Sequence, residues 1–195
     1  MNHEDVLVFW LGAPGSPPLA LAPQWFKKDE QLDATIRTRF EAPLEAAVRG
    51  ELKTWQDSPR GRLALIILCD QFSRNMFRNT PRSFAQDPLA LALSLEALSN
   101  GHYEQLEPVE RGFVLMPLMH AENIEHQKRC VVEFQKLATE ASSDLQGYFK
   151  NNVDYAEKHA VIIERFGRFP HRNAIIERES TPEEVEFLKQ PGSGF

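Results

Sequence analysis

The chain has 195 residues, 42% of them hydrophobic, enough for one compact core without disulfide or metal staples. Its formal net charge of −6 argues against a general nucleic-acid binder, which needs a basic face to displace counterions. Its two cysteines, Cys69 and Cys130, lie in apolar helical patterns and read as small core hydrophobes in a reducing compartment.

Residues 1–11 predict a short helix ending at Phe9-Trp10-Leu11. The loop from Gly12 to Pro23 is dense in Gly, Pro and Ala, and Trp25-Phe26 can fold back from it as an aromatic anchor. A helix fits Asp29 to Arg49, with Leu32, Ile36 and Phe40 on one face; Pro43 should interrupt it or start a second segment, and Gly50 should stop it. Ser58-Pro59 is an N-cap followed by Pro at the first helical position, and opens a helix to about Phe77. Asn79-Thr80-Pro81 breaks it. Asp87-Pro88 starts another that runs to Leu98 before Asn100-Gly101. Pro108 opens the next, Pro117 kinks or splits it, and Ile124, Val131, Phe134 and Leu137 carry the pattern to about Ala141. Tyr148 to Arg165 reads as a further helix. Thr181-Pro182-Glu183-Glu184 is a capping box that starts a last helix to about Leu188.

Period-two alternation is absent. The prediction is one all-α domain over residues 1–195, built of irregular antiparallel helix hairpins, with 1–5 and 190–195 frayed. The acidic start Met1–Asp5 has no long apolar run behind it, and the stretch Leu63 to Cys69 is too short to span a bilayer. These features predict a cytoplasmic protein with no membrane partner.

Three segments place polar groups where the pattern expects apolar ones. Residues 165–173 read Arg-Phe-Gly-Arg-Phe-Pro-His-Arg-Asn, a turn rich in donors and broken by Gly167 and Pro170. Arg168, His171, Arg172 and Asn173 make it a candidate anion site, anchored by Phe166 and Phe169. In the second segment Asp70, Arg74 and Arg78 fall at i, i+4 and i+8, with Gln71 and Asn75 beside them. This is either an ordinary ion-paired surface stripe or a polar stripe facing a cleft, with Asp70 orienting the arginines for a bidentate anion contact. In the third, His120 and Gln127 share a face with Ile124, Val131 and Phe134. They are either a satisfied core pair or the lining of a pocket, in which His120 transfers protons and Glu122 orients it. His120, Glu122, His126 and His171 lack the spacing of a zinc helix, so no metal is expected, and no cofactor motif is present.

The run Asp70-Gln71-Phe72 with Arg74, Asn75 and Arg78, then Pro117-Leu118 with His120 and Glu122, then Phe166 to Asn173, resembles the bacterial family called domain of unknown function 924. Trp25-Phe26, Asp33, Asp87, His159 and Ser180 to Glu184 also fit, so the resemblance covers Val6 to Leu188. Glu177 departs from it, standing where the family has Gly before the arginine matched by Arg178. The resemblance implies a tetratricopeptide-like all-α fold and brings no established reaction, cofactor or partner.

The leading functional expectation is a small-molecule binding protein or enzyme with a cationic cleft for a carboxylate or phosphate. Arg74, Arg78, Arg168 and Arg172 would hold the anion, with His120 or His171 as acid/base and Asp70 or Glu122 as orienting carboxylate. The alternative is a tetratricopeptide-like interaction module that grips the carboxylate of a peptide tail. A third reading is structural, with buried ion pairs tying helix ends together.

Overall fold

Every regular element among the described residues, 1–194 of the computed structural model, is helical, and none of them is a strand. Phe195, the tip of the segment expected to fray, lies outside the described residues. The chain divides into two compact units: residues 1–78 with 82–117, and residues 79–81 with 118–195.

The first unit begins with α1 (His3–Leu11), whose Asn2 side chain and Asp5 form a reciprocal capping box at the very start of the chain. Val6, Leu7 and Trp10 of α1 are buried, and Trp10 packs edge-on against Phe72 and Phe113. The Pro-rich loop returns through α2 (Ala22–Trp25), where the indole N–H of Trp25 donates to the Trp10 carbonyl at 2.7 Å. The expected aromatic anchor is therefore Trp25 alone, because Phe26 is 62% exposed. In α3 (Glu30–Val48) the buried stripe Ile36, Phe40, Leu44 and Ala47 carries the helix straight through Pro43, where the sequence predicts an interruption. Proline removes one backbone bond. Each buried aliphatic or aromatic side chain in that stripe contributes about 1.5–3 kcal/mol, which outweighs the loss.

A 3-10 turn (Lys53–Asp57) leads to α4 (Pro59–Ile66), capped as expected by Ser58. Gly61 is required there, since a Cβ would stand 2.3 Å from the Trp55 carbonyl oxygen. The helix then widens into a π-helical segment, Ile67–Phe72, before α5 (Ser73–Met76). Simple periodicity does not reveal this extra width. α6 (Asp87–Ser99) and α7 (Pro108–His120) follow, and the unit boundary falls at Pro117, inside α7.

α7 continues three residues past Pro117. The break comes at Ala121-Glu122-Asn123, and Asn123 caps α8 (Ile124–Glu140) by accepting from the Glu125 and His126 amides. In the second unit α8 pairs with α9 (Gln146–Phe166) as an antiparallel hairpin, and Gln135 meets Glu157 across the pair. Gly167, left-handed at φ 68°, ends α9 and turns the chain into the 3-10 turn Pro170–Arg172. Ile162, Ile163 and the fully buried Phe169 form a core with Ile124, Phe166 and Phe187 around them. α10 (Pro182–Leu188) starts at Thr181 with the capping box expected from the sequence. Beyond it Ser193 is buried, and its hydroxyl donates to the Leu188 carbonyl.

Candidate functional site

The motif Asp70–Arg78 belongs to the first unit and is held by carboxylates of that unit. The π-helical segment turns Asp70 and Gln71 inward together, and the Gln71 amide donates to Asp70 at 2.6 Å. Arg74 bridges two carboxylates, Asp70 at 2.9 Å and Asp87 at 3.0 Å. α5 ends at Met76, so Arg78 leaves the stripe predicted for it; it forms a two-pronged pair with Asp33, which also accepts from Asn75 at 2.8 Å.

The second unit holds the other two motifs. Glu122 lies at the α7–α8 break, with its side chain 26% exposed, and pairs with Arg178 through both oxygens at 2.7 and 2.8 Å. The same carboxylate accepts the Phe169 amide at 2.7 Å. Burial pushes the Glu122 pKa up, but the Arg178 pair and the Phe169 amide outweigh it and leave it below the ordinary 4.5. Glu122 thus fastens the α7–α8 break to the 165–178 turn. Gln127 donates to the carbonyls of Leu118, Met119 and Ala121, closing the C-terminal end of α7.

Arg168 turns to the buried Glu184, making bonds of 2.6 and 2.7 Å, and to the Glu179 carbonyl. The Arg168 pair holds the Glu184 pKa down to about 2. Asn173 donates to Ser180 and Glu184 and accepts from Arg178 at 2.6 Å. Glu177 adopts a left-handed conformation, φ 56°, that glycine takes more readily. Arg178 keeps its place, with its amide on the Asn173 carbonyl at 2.8 Å.

His159, His171 and Arg172 group around the Phe169 ring, and His120 stands beside His159. His120 and His159 rings lie 6.2 Å apart, His159 and Phe169 5.5 Å, and Phe169 and His171 5.6 Å. The Arg172 guanidinium sits 4.6 Å above the Phe169 ring and donates to the His120 carbonyl at 2.9 Å. His120 and His171 are half-buried, while Arg172 and His159 are buried. The Nδ1–H of His159 donates to the Tyr155 carbonyl at 2.7 Å, which fixes that tautomer. Burial, and then the like charges of His120, His171 and Arg172, push the His159 pKa down to about 3.

His159 enters the sequence reading only among the residues that fit the resemblance, with no role of its own. It occupies the buried face of α9 with Phe149, Asn152, Ala156 and Ile163. The signal is the one that marks His120 and Gln127: a polar residue on a largely apolar face. No three His, Cys, Asp or Glu side chains among the described residues are placed to share a metal ion. Cys69 and Cys130 are buried and unbridged. No helix among the described residues is long and apolar enough to cross a membrane.

Comparison with known proteins gives two matches. The pattern of a family described as bacterial protein of unknown function (DUF924) matches residues 6–192. A solved structure of a protein of unknown function from Agrobacterium tumefaciens is 38% identical, covers 96% of both chains and superposes with a TM-score of 0.81. No curated protein matches the chain.

Proposed function

We propose that this chain, which belongs to the DUF924 family of bacterial proteins, binds a small carboxylate- or phosphate-bearing ligand at His120, His171 and Arg172. The observation that supports the reading is the grouping of His159, His171 and the Arg172 guanidinium around the Phe169 ring, with His120 beside His159. A guanidinium and imidazoles grouped this closely can offer several donors and positive charge to a small anion. Arg172 brings a fixed positive charge to that group.

His120 and His171 are half-buried and are the groups suited to exchange protons with the ligand. His159 stays neutral, with its proton on Nδ1. In this reading Asp70, Gln71, Arg74, Asn75 and Arg78 brace the first unit. Glu122, Gln127, Arg168 and Asn173 brace the turn that carries the site. Two buried thiols suit a reducing, cytoplasmic setting.

The test is thermal. At ten times its Kd, phosphate adds about 1.4 kcal/mol of stability, a rise in melting temperature of about 3–6 °C for a chain this size. Arg172→Gln should lose that rise. A peptide's terminal carboxylate presents the same chemistry, so a peptide that raises the melting temperature where phosphate and dicarboxylates do not would favour the interaction-module reading.

A further inference from the structure

Asn100 and Gly101 form the exposed turn that ends α6, and Asn100-Gly101 is the one Asn-Gly pair in the sequence. Three observations single this turn out. Gly101 adopts φ 79° with nothing within 4 Å of where a Cβ would stand, so the backbone has room to rearrange. The Asn100 side-chain oxygen accepts from the His102 amide at 3.1 Å, which folds the side chain forward over the Gly101 peptide. That donor also points at the oxygen that gains negative charge when the side-chain amide carbon is attacked.

We propose that Asn100 is a site of spontaneous covalent modification, through a cyclic imide formed with the Gly101 backbone nitrogen. The Gly101 amide gives its proton to hydroxide, and its nitrogen bonds to the Asn100 side-chain carbon. The carbonyl electrons move onto Oδ1, where the His102 N–H holds them, and return as the C–N bond to the side-chain nitrogen breaks. Water protonates that nitrogen, which leaves as ammonia. A second water then opens the five-membered imide at either carbonyl, giving aspartate or isoaspartate.

The product has consequences here. Asn100 caps α6 through its amide on the Glu96 carbonyl. A new carboxylate at a helix C-terminus opposes the helix dipole. It also stands beside Glu96, the partner of the buried Arg62, and Arg62 donates to the His102 ring at 3.3 Å. Modification therefore loosens the junction of α4, α6 and the following turn.

The experiment ages the purified full chain in mildly alkaline buffer and maps its peptides by mass spectrometry. The peptide holding Asn100 should gain one mass unit and isoaspartate well ahead of peptides holding Asn2, Asn79 or Asn123. Asn100→Gln should abolish the gain there, and Asn100→Asp should reproduce the lowered melting temperature of the aged protein. Modification of Asn100 no faster than of those other asparagines would overturn the proposal, as would an unmodified Asn100 after all of them have reacted.

Discussion

Arg178 meets Glu122 through two parallel bonds of 2.7 and 2.8 Å, joining residues 56 positions apart in sequence. Because Glu122 also accepts the Phe169 amide, this pair fixes the turn that carries His171 and Arg172 against the end of the helix that carries His120. The pair is partly exposed, so its contribution is smaller than that of a fully buried one. Glu122→Ala, which also orphans the Phe169 amide, should cost about 1–3 kcal/mol. Glu122→Gln keeps an acceptor for that amide and should cost less. A double-mutant cycle with Arg178→Leu, read by urea unfolding, should give a favourable coupling; additive losses would mean the two side chains act independently.

His159 makes the fold sensitive to acid. Its pKa falls from 6.5 to about 3 on folding, chiefly through burial. Between those values the unfolded chain binds the extra proton, so stability is fully present above 6.5 and declines as pH falls toward 3. The slope for one such group is about 1.4 kcal/mol per pH unit. Glu184 acts lower, because its stabilisation is present above 4.5 and is lost as pH falls through its folded value of about 2. His159→Gln should therefore flatten the melting-temperature profile between pH 6.5 and 4.5 and leave the steeper acid limb in place. An unchanged slope in the upper window would show that His159 is not the group responsible.

Two backbone positions should respond in opposite directions. Glu177 stands at φ 56°, where a side chain costs about 1 kcal/mol more than hydrogen does, so Glu177→Gly should stabilise by up to that amount. Gly61→Ala would drive a Cβ into the Trp55 carbonyl at 2.3 Å and should destabilise by about 2–3 kcal/mol. Chemical denaturation of both variants checks the pair.

The thiols should be inert. Burial pushes Cys69 up to about 12 and raises Cys130 further, and both side chains are fully buried. Labelling by a soluble maleimide should proceed only as fast as the protein opens. Prompt reaction of either thiol would contradict the packing described around it.

Much of the fold was legible in the sequence because its signals are local. Ser58-Pro59, Thr181-Pro182 and Asn100-Gly101 mark helix ends through their own backbone preferences, and the structure uses each of them. Pro43 misled because a buried stripe can carry a helix through a proline, as Ile36, Phe40 and Leu44 do. The true break after α7 is marked by Asn123, an N-cap whose meaning depends on where the helix before it stops. The π-helical segment at Ile67–Phe72 left no trace in periodicity. Among the candidate site residues, sequence picked out polar groups on apolar faces. It could not tell which have a carboxylate waiting, because Asp33 meets Arg78 across 45 residues and Glu184 meets Arg168 across 16.

The most direct test of the anion site is titration calorimetry of the full chain with inorganic phosphate near neutral pH. Wild type and the exposed-surface control Arg82→Gln should bind one phosphate per chain with equal affinity, and Arg172→Gln should bind at least about tenfold more weakly, a loss of about 1.4 kcal/mol. Wild type that takes up no phosphate, or Arg172→Gln that binds it as tightly as wild type, would contradict the account.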